Sequence, residues 1–357
     1  MTDVSTETGD PGEAPAPEDA ARAARRAAED LGWRPDVLGA PFRAKTLPLA
    51  DDDEGPCVAT LVDAGRPPYW AGRFGLAAEI DVLYVHGWSD YFFQTELAEF
   101  WRERGARFFA LDLRKYGRSL RPGQSPGYIT DLGEYDEEIE AALTEMGHGR
   151  HRPTPSPRRL VLLGHSTGGL VLSLFAARFP GRTHALILNS PWLELQTREV
   201  GRMALSPLIS TVGRLNPKTN LKNTDPGFYV QAVSKRFRGE WELNAEWRPD
   251  HSFPIYAAWL QAIVRGHERV SRGLDLSLPT LVLLAKRSVF ALNWDDSMLS
   301  SDIVLDVEGI ARRALDLGEQ TTVVRVPNAM HDIFLSRLPV RQHAYRHLEH
   351  WLRGYRR

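Results

Sequence analysis

The sequence predicts an α/β fold: a mostly parallel, doubly wound sheet with helices packed on its faces. Short β-rich runs begin near residue 40, and several from the third onward are almost wholly apolar, as strands buried on both faces must be. Segments with apolar residues at helical spacing alternate with those runs. The alternation breaks once, between about Pro191 and Pro279, where more than 80 residues intervene. That is too long for a structureless connection, so a helical lobe is expected there.

Taken in order, the strand candidates are "FRAKTLPLA" (42–50), "CVATLVDAG" (57–65), "DVLYVHG" (81–87), "ARFFALDL" (106–113), "RLVLLGHS" (159–166), "THALILNSP" (183–191), "PTLVLLA" (279–285) and "TTVVRV" (321–326). The helix candidates "FQTELAEFWRERG" (93–105), "LGEYDEEIEAALTEMG" (132–147) and "GGLVLSLFAARFPG" (168–181) lie between them and close on glycine. Residues 1–17 are acidic, Pro-rich and poor in apolar side chains, and 19–33 form an Ala-rich helix candidate. The expected organisation is a leader with its helix (1–38), a core (39–192 and 277–357) and a helical cap (193–276). The cap segment holds Phe228, Tyr229, Phe237, Trp241, Trp247, Phe253, Tyr256 and Trp259, which either line an apolar pocket or form a small core of their own.

Composition narrows the partner class. Lys and Arg total 44 against 46 Asp and Glu, with no long block of either sign, so no nucleic-acid footprint is visible and a small molecule is the expected partner. Cys57 stands alone, which rules out an intrachain disulfide and a multi-thiolate metal site within one chain. No run approaches the roughly 18 apolar residues of a membrane span. The N-terminus has no apolar signal core, so a cytoplasmic location is expected. The dinucleotide pattern G-x-G-x-x-G is absent, and no cofactor is expected.

The chemistry gathers around Gly164-His165-Ser166-Thr167-Gly168, a G-x-S-x-G stretch with an apolar strand before it and an apolar helix after it. A sharp strand-to-helix turn pushes the middle side chain out of the sheet, and the flanking positions tolerate little beyond glycine. A serine hydroxyl needs a base to take its proton. His331, in "VRVPNAMHDIFLS" just after the last strand, is placed to be that base. His165 belongs to the turn and is read as structural support. His343, His347 and His350 share one face of the C-terminal helix and are read as solvated side chains, with no metal.

A carboxylate should follow the preceding strand to orient the histidine. The early position there reads Lys286-Arg287-Ser288, without an acid. Asp302 is therefore the candidate, ahead of Asp306, which reads as a helix N-cap, and of Asp295 and Asp296. Two backbone N–H groups should hold an oxyanion, that of Thr167 after the serine and that of Trp88 in "YVHGWSDYFFQ", where His86-Gly87 closes the third strand.

Together "HGWSD", "LDLRKYGRS" (111–119), "GHSTGG" and "NAMHD" resemble the α/β-hydrolase superfamily, in its monoacylglycerol lipase, lysophospholipase and serine aminopeptidase branch. The resemblance covers about residues 40–355 and implies an eight-stranded sheet with a helical cap after strand 6. It also implies an Asp shortly before the His, and Asp302 precedes His331 by 29 residues. The sequence departs from that pattern in "KRSVFALNWDDSMLSSD", an insertion ahead of Asp302, and in Arg114-Lys115-Tyr116-Gly117. The implied function is a serine hydrolase that cleaves carboxylic esters through an acyl-enzyme on Ser166, and the expected partner is a small-molecule ester with an apolar acyl or aromatic group. A peptidase or amidase, an acyltransferase and a non-catalytic binding protein on the same fold are the alternatives.

Overall fold

The eight apolar runs all form strands: β1 (Arg43–Pro48), β2 (Val58–Asp63), β3 (Ile80–Val85), β4 (Arg107–Asp112), β5 (Arg159–His165), β6 (Ala185–Asn189), β7 (Thr280–Ala285) and β8 (Thr321–Val326). They build one sheet in the order β1-β2-β4-β3-β5-β6-β7-β8, in a computed structural model that describes residues 32–151, 154, 156–195, 216–221 and 225–355. The pairs β1–β2 and β2–β4 are antiparallel and the rest are parallel. Eight strands were expected. A ninth, the two-residue strand Arg34–Pro35, extends the edge beside β1.

The central strands show why their sequences read as unbroken apolar runs. In β3 and β5, Leu83, Val85, Leu160 and Leu162 face one hydrophobic cluster, while Val82, Tyr84, Val161 and Leu163 face another. Both faces are covered, so the period-2 alternation separates two cores instead of core from water. The described helices are α1 (Tyr69–Phe74), α2 (Thr95–Glu103), α3 (Tyr135–Met146), α4 (Thr167–Arg178), α5 (Phe228–Val233), α6 (Ala257–Ser271), α7 (Val307–Arg313) and α8 (Leu338–Tyr355). One cluster takes side chains from α3, α4 and α6, and the other from α2 and α8. These helices fulfil the alternation that the sequence announced.

Residues 32–38, which the sequence assigns to the leader, are held to the core. Trp33 donates from Nε1 to Glu145 at 3.2 Å, and Asp36 accepts from the Arg118 guanidinium at 2.7 Å. The expected helix at 19–33 lies outside the described residues up to residue 31, as do residues 196–215 and 222–224 of the expected cap. Within the rest of that segment, Phe253, Trp259 and Ile263 join the cluster around α4. Tyr229, Trp241 and Trp247 pack instead against Tyr91, Phe93, Met330 and Leu335, on the loops after β3 and β8. These five cap-segment aromatics therefore pack on the core and its loops, while Phe237 is exposed.

Chain connections leave β3 in one direction and β5 in the other, so the crevice outside their carboxyl ends is the topological switch point. Gly87, Ser166 and the loops after β7 and β8 all follow strands that end on this edge. Among the described residues, no helix is long and apolar enough to cross a membrane.

Candidate active site

Ser166 occupies the turn between β5 and α4 with φ +50° and ψ −117°, a conformation that a residue with a side chain adopts only under constraint. The constraint comes from its neighbours. A Cβ on Gly164 would lie 2.6 Å from the Gly168 carbonyl oxygen, and one on Gly168 would run into the carbonyl oxygens of Val85 and His86. Backbone bonds then lock the turn: the Ser166 N–H donates to Asn189 and its carbonyl accepts from Trp192, each at 3.0 Å. The Thr167 N–H, first in α4, has no acceptor within the helix.

The loop after β3 lies directly against the serine. A Cβ on Gly87 would be 3.0 Å from Ser166 Cβ and 3.1 Å from the His165 ring, so only glycine permits the approach. His86 fixes this loop. Its Nε2 accepts from the Leu113 N–H at 3.1 Å, which leaves Nδ1 to donate to the Gly87 carbonyl at 2.7 Å. Trp88 follows, its indole over Trp259 at 3.7 Å between ring centres.

The acid arrives by an indirect route. The chain leaves β7 at Lys286, makes an excursion and returns so that Asp302 bridges to Ser288, the position where the sequence lacked an acid. The Asp302 N–H donates to Arg287 at 3.0 Å, and its carbonyl accepts from Val289 at 2.9 Å. The side chain is fully buried, with Oδ1 accepting from the N–H groups of Val304 and Leu305, both at 2.8 Å. Its other oxygen, Oδ2, is 2.9 Å from His331 Nδ1. Because a carboxylate accepts there, Nδ1 carries the proton of a neutral ring and the lone pair is left on Nε2. Asp306 instead caps α7 through the Glu308 N–H at 3.1 Å. Asp295 accepts from Ser297 N–H and Asp296 from the Trp294 indole, so both serve local turns.

His165 does not join the Asp302 pair. Its Nδ1 is 3.1 Å from the Asn189 carbonyl, and burial pulls its pKa down to about 4, so it is neutral beside the His331 ring 4.9 Å away. On α8, His343 and His347 stack on each other and meet through Nε2 at 2.8 Å. Among the described residues, no three His, Cys, Asp or Glu side chains are grouped to hold a metal ion. Arg114 and Lys115 turn into ion pairs with Glu137 and Glu138 and with Asp52 and Glu54.

Sequence reasoning missed a buried polar layer behind these residues. Asp332, next to His331, accepts from Asn189 Nδ2 at 2.7 Å and from Gln94 Nε2 at 3.1 Å, which ties the loop after β8 to β6 and to the start of α2. Arg248 and Asp90 form a buried pair at 2.9 Å. A polar residue ending an otherwise apolar strand, Asn189 after "ALIL", was the one local sign of that layer.

Comparison with known proteins places the chain in a family. The family described as serine aminopeptidase, S33, matches residues 78–335. The chain is 27% identical over 207 residues to a monoacylglycerol lipase of Mycolicibacterium smegmatis, covering 57% of this chain and 68% of that one. It is 30% identical over 139 residues to a bovine (lyso)-N-acylphosphatidylethanolamine lipase, though this match covers only 37% of either protein. A soluble variant of Saccharomyces cerevisiae monoglyceride lipase superposes with a TM-score of 0.62 over 86% of this chain and 94% of its own, at 15% identity, a likeness of fold.

Proposed function

The chain belongs to the serine aminopeptidase S33 family, an α/β-hydrolase of esterase and lipase type, and from that premise we propose that it cleaves carboxylic esters through an acyl-enzyme on Ser166. Ser166 Oγ attacks the acyl carbon while His331 Nε2 takes its proton, and Asp302 holds the ring and stabilises its charged form. The oxyanion is held by the N–H groups of Thr167 and Trp88, the former reinforced by the positive end of α4. His331 then protonates the leaving alcohol, and water attacks the acyl group in a second, mirrored step.

One observation carries the reading: the buried 2.9 Å contact of Asp302 with His331 Nδ1, on the same sheet edge as a serine held at positive φ. The substrate side is read from the aromatic wall. Trp88, Trp259 and Trp192 pack in series with tilted rings, and the Trp192 backbone N–H donates to the Ser166 carbonyl, which sets this wall beside the nucleophile. Such a wall favours an apolar acyl or aromatic group, in keeping with the lipid esters named for the relatives. Residues 225–276 of the expected cap would then close over this wall.

The test is intact mass after exposure to a fluorophosphonate probe, followed by p-nitrophenyl esters of increasing chain length. A single adduct is expected on the wild type and none on Ser166→Ala, with ester turnover falling by about 10⁴-fold or more and melting unchanged. An adduct that persists in the variant would exclude Ser166 as the nucleophile.

A further inference from the structure

The segment Asn244–Phe253 grips the loop after β3 at three successive residues. The Phe253 N–H donates to Ser89 Oγ at 3.0 Å, Arg248 Nη1 donates to Asp90 Oδ1 at 2.9 Å, and the Asn244 N–H donates to the Tyr91 hydroxyl at 2.9 Å. Ser89 is held at φ +50°, so this loop has a constrained shape one residue after Trp88. The grip also reaches the histidine. The Arg248 guanidinium lies over the rings of Phe93 (5.6 Å) and Tyr229 (5.0 Å). Tyr229 in turn packs edge-on against His331 at 5.5 Å, and its hydroxyl accepts from the Asp332 N–H at 3.1 Å.

A buried ion pair is poor value as a source of stability, because desolvating both charges offsets most of their attraction. Both side chains are buried, only 4% and 3% exposed, and burial pushes the Asp90 carboxyl up to about 7 even beside Arg248. Neither residue takes part in the proton transfers described above. What the pair does supply is a fixed distance between two loops that must agree with each other.

We propose that Arg248 is a positioning residue, which by clamping Asp90 and Tyr229 sets the Trp88 N–H and the His331 ring in register around Ser166. The proposal rests on the ester-hydrolase reading and adds to it the means by which the oxyanion site is held. Arg248 touches no substrate. Its removal displaces a donor that matters most when the tetrahedral oxyanion forms, so the loss falls on the transition state and not on ground-state binding.

The experiment compares wild type with Arg248→Met/Asp90→Asn, which removes both members of the pair together, while the buried Asp332 keeps its bonds from Asn189 and Gln94. Three quantities are read on a p-nitrophenyl ester: kcat, KM, and the inhibition constant of an alkyl boronic acid that forms a tetrahedral adduct on the serine. The expected result is a kcat lower by about 10- to 100-fold, a boronate weakened by a similar factor and a KM within about twofold. Should the double variant fail to fold, Arg248→Lys carries the same readout, because an ammonium keeps the charge but loses the planar fork between Phe93, Tyr229 and Asp90. A folded variant with kcat and boronate affinity within about threefold of wild type overturns the proposal, as does a rise in KM at unchanged kcat, which would make Arg248 a pocket wall. A wild type with neither turnover nor boronate inhibition overturns the ester-hydrolase reading itself, and this proposal with it.

Discussion

The turn around Ser166 and the loop that delivers Asp302 place side chains at one sheet edge by opposite means. The turn is local: six residues, Gly164 to Gly169, define its shape through close approaches of their own backbone to β3 and to one another. The acid is delivered by an excursion from Lys286 to Ser301, and its place is fixed where the chain comes back, by backbone pairing with Arg287 and Val289. A motif can encode the first arrangement. The second depends on closing a loop, and a long loop closes at little extra entropic cost, so insertion length alone says little about where the acid ends up.

The sharpest way to break this comparison is Asp302→Asn. On the reading above, the amide would offer His331 an N–H where it needs an acceptor and favour the wrong tautomer, so kcat should fall by about 10⁴-fold with the protein still folded. The Oδ1 bonds to Val304 and Leu305 can survive the change, which separates chemistry from stability. Ester turnover beside circular dichroism makes the check. Activity within tenfold of wild type would move the acid elsewhere and leave Asp302 as a loop staple.

The same contrast explains what was legible in the sequence. The central strands of the main sheet stood out because burial on both faces leaves almost nothing but apolar side chains in them. Ser166 and the flanking glycines were legible because backbone crowding dictates residue type within a few positions. Asp302 was legible only through the resemblance and by discounting Asp306 as a cap, which it is. The Arg248–Asp90 pair left no trace, since its members are 158 residues apart and each reads as an ordinary surface charge. The Arg34–Pro35 strand is too short to show a period, and Asp36 reads as leader until Arg118 is placed beside it. Local sterics write themselves into sequence, and long-range polar pairing does not.

The turn also carries a response to acid. His165, within the turn, is buried with its pKa pulled down to about 4, against about 6.5 for an unfolded histidine. The unfolded chain therefore binds a proton at this site before the folded one does, so stability is full above about pH 6.5 and is lost progressively as pH falls towards 4. Between pH 7 and pH 5 this one group should cost about 2 kcal/mol. Comparing that pH dependence with that of His165→Gln isolates the effect, because other titrating groups are common to both proteins. Urea melts at the two pH values are expected to show the variant losing about 2 kcal/mol less than wild type. Parallel losses would mean that the imidazole gains a proton in place, without disturbing the turn.

The smallest expected effect distinguishes the two neighbouring acids of the delivery loop. Asp306 lies four residues beyond Asp302, yet its Oδ1 accepts from the Glu308 N–H at the start of α7 and makes no contact with His331. An N-cap carboxylate satisfies one N–H of the first turn and faces the positive end of the helix, and its removal costs about 1 kcal/mol. Asp306→Ala should therefore lower stability by about 1 kcal/mol and leave kcat within about twofold, the inverse of Asp302→Asn. A tenfold loss of kcat at unchanged stability would reverse the two roles and show that the acid is set by distance along the chain after all. If instead both stability and kcat fall together, α7 is part of what returns the loop to Ser288, and delivery of the acid extends beyond the bridge itself to the helix that follows.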